Sequence, residues 1–86
     1  MTAEYLWSVY LKQNKKCPYT AIELNLYPEN GNHRTPVNAS LDRIDSKKGY
    51  IEDNLQWVYK PINVFKNSMS KEAFINMCKL VSNNHE

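Results

Sequence analysis

The chain is short of most features that announce a secreted, fibrous or membrane protein. It has two cysteines, Cys17 and Cys78, which make at most one bridge, so the disulfide framework of small secreted domains is excluded. Neither cysteine sits in a C-x-x-C pair and no signal-peptide pattern precedes them, so both are expected as reduced thiols in the cytoplasm. With two glycines, the sequence shows no internal repeat, no low-complexity tract and no linker long enough to divide it. No apolar run approaches the roughly 18 residues a membrane span requires, so no membrane association is expected. Charge of one sign is scarce too: a net charge of +2 is too mild to mark a nucleic-acid binder by itself.

What remains is an ordinary globular composition, 42% hydrophobic and 23% charged over 86 residues. That is room for one small domain, residues 1–86, with a modest core and a single site. Leu6, Val9 and Tyr10, with Trp7 and Leu11 beside them, recur at helical spacing behind Thr2, a good N-cap. They predict an amphipathic helix from Thr2 to about Asn14, ended by the segment running into Pro18. Pro28, Asn30, Gly31, Asn32 and Pro36 predict an irregular middle.

Residues 39–45 and 54–58 read as two short strands around the turn-rich Ser46-Lys47-Lys48-Gly49-Tyr50, a hairpin with a long connection. Pro61 then opens a short helix carrying Asn63 and Lys66 on one side, and Ser70 caps a last helix. In that last helix Phe74, Cys78 and Val81 form an apolar stripe, with Ile75 and Met77 alongside, expected to join the core. The fold class is therefore α+β, a ββ hairpin plus short helix flanked by an N-terminal and a C-terminal helix. Trp7, Tyr10, Trp57, Phe65 and Phe74, with their aliphatic neighbours, are its expected core.

The polar residues fall at telling places. Asp42 lies in the first strand, Asn54 opens the second, and Asn63 lies in the first turn of the short helix. If that helix packs across the hairpin, the Asp42 carboxylate and the Asn63 amide oxygen converge. Two hard oxygen ligands, completed by water and phosphate, suit Mg²⁺ or Mn²⁺, and a cation so held polarises a phosphodiester. Lys47, Lys48, Lys60 and Lys66 accompany Arg43 around this motif, a concentration of cations suited to phosphate. A solvated surface would show the same pattern.

Ser40-Leu41-Asp42-Arg43-Ile44-Asp45, Lys48-Gly49-Tyr50, Asn54-Leu55-Gln56-Trp57-Val58 and Asn63 through Lys66 together resemble the D-R-I-D variety of the HNH endonucleases, the ββα-metal fold of phage and bacteria. Tyr5-Leu6-Trp7 through Gln13, Lys16-Cys17 and Thr20 resemble the segment that precedes the motif in such proteins, so the likeness covers nearly the whole chain, with its motif core at residues 39–67. The resemblance implies a DNA endonuclease of a bacterial or phage-infected cell. In it Asp42 and Asn63 bind the metal, and Asn54 supports catalysis by tying down the hairpin loop. It implies no small-molecule cofactor. A single metal site nicks one strand at a time, so double-strand cleavage would need a homodimer or two sequential nicks.

Three departures stand out. Arg43 occupies the position where most of the family carries the base histidine, and arginine stays protonated at any relevant pH. It could instead fork onto the scissile phosphate, or pair with Asp45 or Glu52 on the surface. Tyr59, four residues before Asn63, stands where relatives often have histidine; it either packs or bonds a phosphate through its hydroxyl. The remaining base candidates are His33, in the irregular middle, and Asp45, while His85 belongs to the tail. Third, paired C-x-x-C motifs are missing, so structural zinc is not expected, and the usual Thr-Gly is Thr20-Ala21. The competing reading is a nucleic-acid-binding module of the same fold without strong catalysis.

Overall fold

Thr2 starts the first helix as its sequence position suggests. Its backbone is extended, its hydroxyl accepts the Tyr5 N–H at 3.1 Å, and α1 runs Ala3–Lys12. The structure, a computed structural model, describes residues 2–26 and 37–85. What stops α1 is not Pro18. Asn14 and Lys15 adopt left-handed φ of 54° and 61°, and Lys15 N–H turns back onto Tyr10 O at 3.1 Å.

A tight turn follows. Ala21 N–H bonds Cys17 O at 2.8 Å, Cys17 N–H bonds Ile22 O at 2.9 Å, and Lys16 and Glu23 bridge antiparallel. Ala21 sits at φ 62°, the left-handed conformation that glycine adopts without a Cβ penalty.

β1, Ala39–Arg43, pairs antiparallel with β2, Leu55–Tyr59, setting Ser40 opposite Val58 and Asp42 opposite Gln56. Both strands differ from the sequence expectation, because Asn54 is not a strand residue. Ile44 N–H still reaches Asn54 O at 2.8 Å, but the next partner, Asp45 N–H, bonds the Asn54 side chain instead. β2 runs straight into α2, Lys60–Lys66: Tyr59 is its N-cap, and Pro61 stands in the first turn, where its missing N–H costs nothing. α3, Lys71–Asn84, is capped by Ser70, whose hydroxyl accepts the Ala73 N–H at 3.1 Å.

A two-stranded sheet has two edges with unsatisfied backbone groups. An amide side chain covers part of the β2 edge here. Gln13 Oε1 accepts Trp57 N–H and Gln13 Nε2 donates to Trp57 O, each at 2.8 Å, so a side chain mimics a third strand beside β2. Asn38 does the same for the segment after the turn, accepting Asn25 N–H at 2.7 Å and donating to Glu23 O at 3.1 Å.

The core is built from Tyr10, Cys17, Leu24, Ala39 and Val58, with Tyr19, Leu26, Trp57 and Tyr59 packed against it. Of the expected aromatics, Tyr10 and Phe74 are buried and Trp57 packs on the cluster, while Trp7 and Phe65 lie largely outside it. Trp7 is 38% exposed and Phe65 51%, whereas Leu24 and Val58 are fully enclosed. Phe74 is buried, its ring edge-on to Tyr19 at 5.1 Å and to Phe65 at 5.7 Å, and it anchors the start of α3. The rest of the expected α3 stripe does not join the core: Met77, Cys78 and Val81 are exposed, because only the first turns of α3 lie against the domain. Among the described residues no helix is long and apolar enough to cross a membrane.

Candidate functional site

Asn54 is buried and uses its whole side chain on the hairpin connection. Its Oδ1 accepts Asp45 N–H at 2.9 Å, and its Nδ2 donates to Asp45 O at 3.1 Å and Gly49 O at 2.8 Å. The connection is held further by Asp45 Oδ1, which accepts Lys47 N–H at 2.9 Å, by Tyr5 Oη, which accepts Asp53 N–H at 2.7 Å, and by Ser46 Oγ on Ser68 O at 2.9 Å. The Asp45 carboxylate, considered as a base, therefore shapes the loop.

Strand alternation puts Ser40, Asp42, Gln56 and Val58 on one face of the hairpin. α2 lies across that face. Asn63 Nδ2 donates to Ser40 Oγ at 2.7 Å and to Leu41 O at 3.3 Å, and Lys66 Nζ lies 3.2 Å from Asp42 Oδ1. Asn63 and Lys66, one turn of α2 apart, thus both reach β1, Asn63 at Ser40 and Lys66 at Asp42. Asn63 turns its amide nitrogen toward β1, and its Oδ1 accepts nothing from the described residues.

Lys66 departs from its expected place on the phosphate-facing surface. It is fully buried, paired with Asp42 and 3.5 Å from Arg43 O. The spacing that puts it one turn after Asn63 also aims it into the hairpin, where a buried carboxylate needs a counter-charge. Arg43 diverges from Asp42 as neighbours on a strand do. Its guanidinium stacks over Tyr50 at 5.4 Å and donates from Nη1 to Lys48 O at 3.4 Å, so it packs on the loop and pairs with neither Asp45 nor Glu52.

Tyr59 is half-buried against the core cluster. Lys47 and Lys48 are exposed on the connection at one end of the hairpin, and Lys60 is exposed at the other, past the end of β2. His33 lies outside the described residues, and His85 follows α3 as its C-cap.

Sequence reasoning did not single out Gln56, Tyr19 and Ser40. Gln56 Nε2 donates to Asp42 Oδ2 at 2.9 Å and to Tyr19 Oη at 3.3 Å, so the carboxylate is held from the opposite strand as well as from α2. The register alone would have flagged Gln56, since it faces Asp42 across the hairpin. Tyr19 titrates above its ordinary value: burial is the main cause, the Gln56 hydrogen bond opposes it, and the charges of Asp42 and Cys17 add to it. For Cys17 burial pushes the thiol up, but the Thr20 side chain and backbone hydrogen bonds from Tyr59, Tyr19 and Thr20 outweigh it, and the thiol ends below its ordinary value.

Among the described residues no group of three or more His, Cys, Asp or Glu side chains gathers to form a metal cage. The expected oxygen ligands on this face are one carboxylate, Asp42, held by Lys66 and Gln56, and one amide, Asn63, held by Ser40 and Leu41 O. Both Asp42 oxygens are engaged, Oδ1 by Lys66 and Oδ2 by Gln56, so of these two expected ligands only Asn63 Oδ1 is without a partner among the described residues.

The chain is similar to an uncharacterized protein of Acanthamoeba polyphaga mimivirus, 34% identical over 62 residues. The match takes in 72% of this chain but only 12% of the viral protein, so the chain spans a small part of that relative's length. No family model matches the chain, and no solved structure does.

Proposed function

We propose that the chain is an HNH-type endonuclease domain that hydrolyses DNA phosphodiester bonds with Mg²⁺ or Mn²⁺. The observation that carries this reading is the joint placement of three residues. Asn54 clamps the hairpin connection, while α2, which carries Asn63, lies on the hairpin face that carries Asp42. Strand, clamped loop, strand and helix occur in the order the D-R-I-D motif implies.

In this reading Asp42 and Asn63 Oδ1 hold the cation, and the chemistry such a cation supplies is polarisation of the phosphodiester and stabilisation of the leaving oxygen. Gln56 orients the carboxylate. Lys47, Lys48 and Lys60 draw in the nucleic-acid backbone as point charges, positioning it without reading sequence. Nicking of supercoiled plasmid under Mg²⁺ and Mn²⁺, in the wild type and in Asp42→Ala and Asn63→Ala, tests the assignment.

One observation favours a second reading, a binding module of the same fold. The residue at the usual base position, Arg43, is spent on Tyr50 and Lys48 O. That reading expects salt-sensitive DNA binding with no turnover under either metal.

A further inference from the structure

The carboxylate assigned above to a metal already has a cation. Lys66 Nζ stands 3.2 Å from Asp42 Oδ1, and the two side chains are only 1% and 4% exposed. Its other contact is the carbonyl of Arg43 at 3.5 Å, so both of its oxygen partners come from β1. The second carboxylate oxygen is engaged by Gln56, at 2.9 Å. A divalent cation bound to Asp42 would sit about 2.0–2.1 Å from a carboxylate oxygen. Beside an ammonium on the same group, away from water, the two cations repel with little screening.

We infer that Lys66 is the resident cation of the Asp42 site and that it and a divalent metal exclude one another there. Loading the site then requires the ammonium to withdraw from Asp42, so metal binds more weakly than the donor set alone would allow. Lys66 is a gate on metal affinity rather than a ligand. The inference rests on the reading of Asp42 as a metal ligand.

The test is a Mn²⁺ titration of the full chain, followed by loss of the free-ion electron paramagnetic resonance signal, in the wild type, Lys66→Met, Asp42→Asn and the double variant. Lys66→Met is expected to bind Mn²⁺ about tenfold or more tightly than the wild type, with binding lost in both variants that lack Asp42. Binding by Lys66→Met no tighter than the wild type, with both above Asp42→Asn, overturns mutual exclusion and leaves the metal reading standing. Equal binding by all four proteins overturns both.

If Lys66→Met does not fold by circular dichroism, Mg²⁺ titration of the wild type observed by NMR decides. The expected result is that the Asp42 carboxyl carbon and the Lys66 side-chain signals shift together to a common saturation point. Saturation at Asp42 with Lys66 unmoved overturns exclusion, and no shift at Asp42 overturns both readings.

Discussion

Asn54 and Asp45 are joined by two hydrogen bonds, Asp45 N–H to Asn54 Oδ1 at 2.9 Å and Asn54 Nδ2 to Asp45 O at 3.1 Å, so one side chain takes the place of a backbone partner just beyond β1. Together with its bond to Gly49 O, this makes Asn54 the residue that sets the shape of the connection. Replacing it leaves partly buried backbone groups of the connection without these partners. Asn54→Ala is expected to lose about 2–4 kcal/mol in urea unfolding, and Asn54→Asp at least as much, since it keeps one acceptor but turns a buried carboxylate oxygen against the Asp45 and Gly49 carbonyls. Hydrogen exchange at Asp45 N–H should accelerate in both.

Ala21 carries a Cβ at φ 62°, which disfavours the left-handed turn. Ala21→Gly is expected to stabilise the domain by about 0.5–1 kcal/mol, relief of the Cβ penalty exceeding the entropy that glycine adds to the unfolded chain. Ala21→Val should destabilise it. Thermal unfolding of the two variants checks the sign.

Local rules made much of this legible in advance. Thr2 and Ser70 cap their helices, Pro61 lies in the first turn of α2, and the Asp42, Asn54 and Asn63 spacings give the hairpin and helix in order. What was not legible depends on partners distant in sequence. The side chain of Gln13 covers the β2 edge 44 residues away and that of Asn38 ties down the backbone of Asn25 13 residues away, and no periodicity announces such pairings. Lys66 was readable as lying on Asn63's side of the helix, but its burial follows from how closely α2 sits on Asp42. The α3 stripe was read as core because its pattern is amphipathic, and a pattern does not say whether the chain has a surface to cover it.

Breaking the Asp42–Lys66 pair from one side strands a buried charge. Asp42→Ala or Lys66→Ala alone is expected to cost about 3–5 kcal/mol, while Asp42→Leu combined with Lys66→Met should come out near neutral. A double-mutant cycle in denaturant measures the coupling. Equal, additive losses would show the pair to be energetically idle.

Tyr19 links the site to alkaline stability. Burial above all, then the nearby charges of Asp42 and Cys17, hold its phenol above the ordinary 10.0 against the Gln56 hydrogen bond. A folded-state pKa raised above the unfolded one contributes stability that is fully present below the unfolded value and is lost as pH rises through the folded value. Stability should therefore fall as pH climbs past about 10. The fall should be shallower in Tyr19→Phe, and the difference between the two unfolding profiles isolates this group. Parallel profiles would remove Tyr19 from the account.

The central claim is metal-dependent cleavage through Asp42 and Asn63, and plasmid nicking tests it most directly. The wild type should convert supercoiled plasmid to the open circle with Mg²⁺ or Mn²⁺ and not in chelator. Asp42→Ala and Asn63→Ala should both abolish this, and Arg43→His, which restores a titratable base, should be faster than the wild type. Cleavage that persists in both alanine variants, or a wild type that binds DNA yet nicks it under neither metal, would contradict the claim.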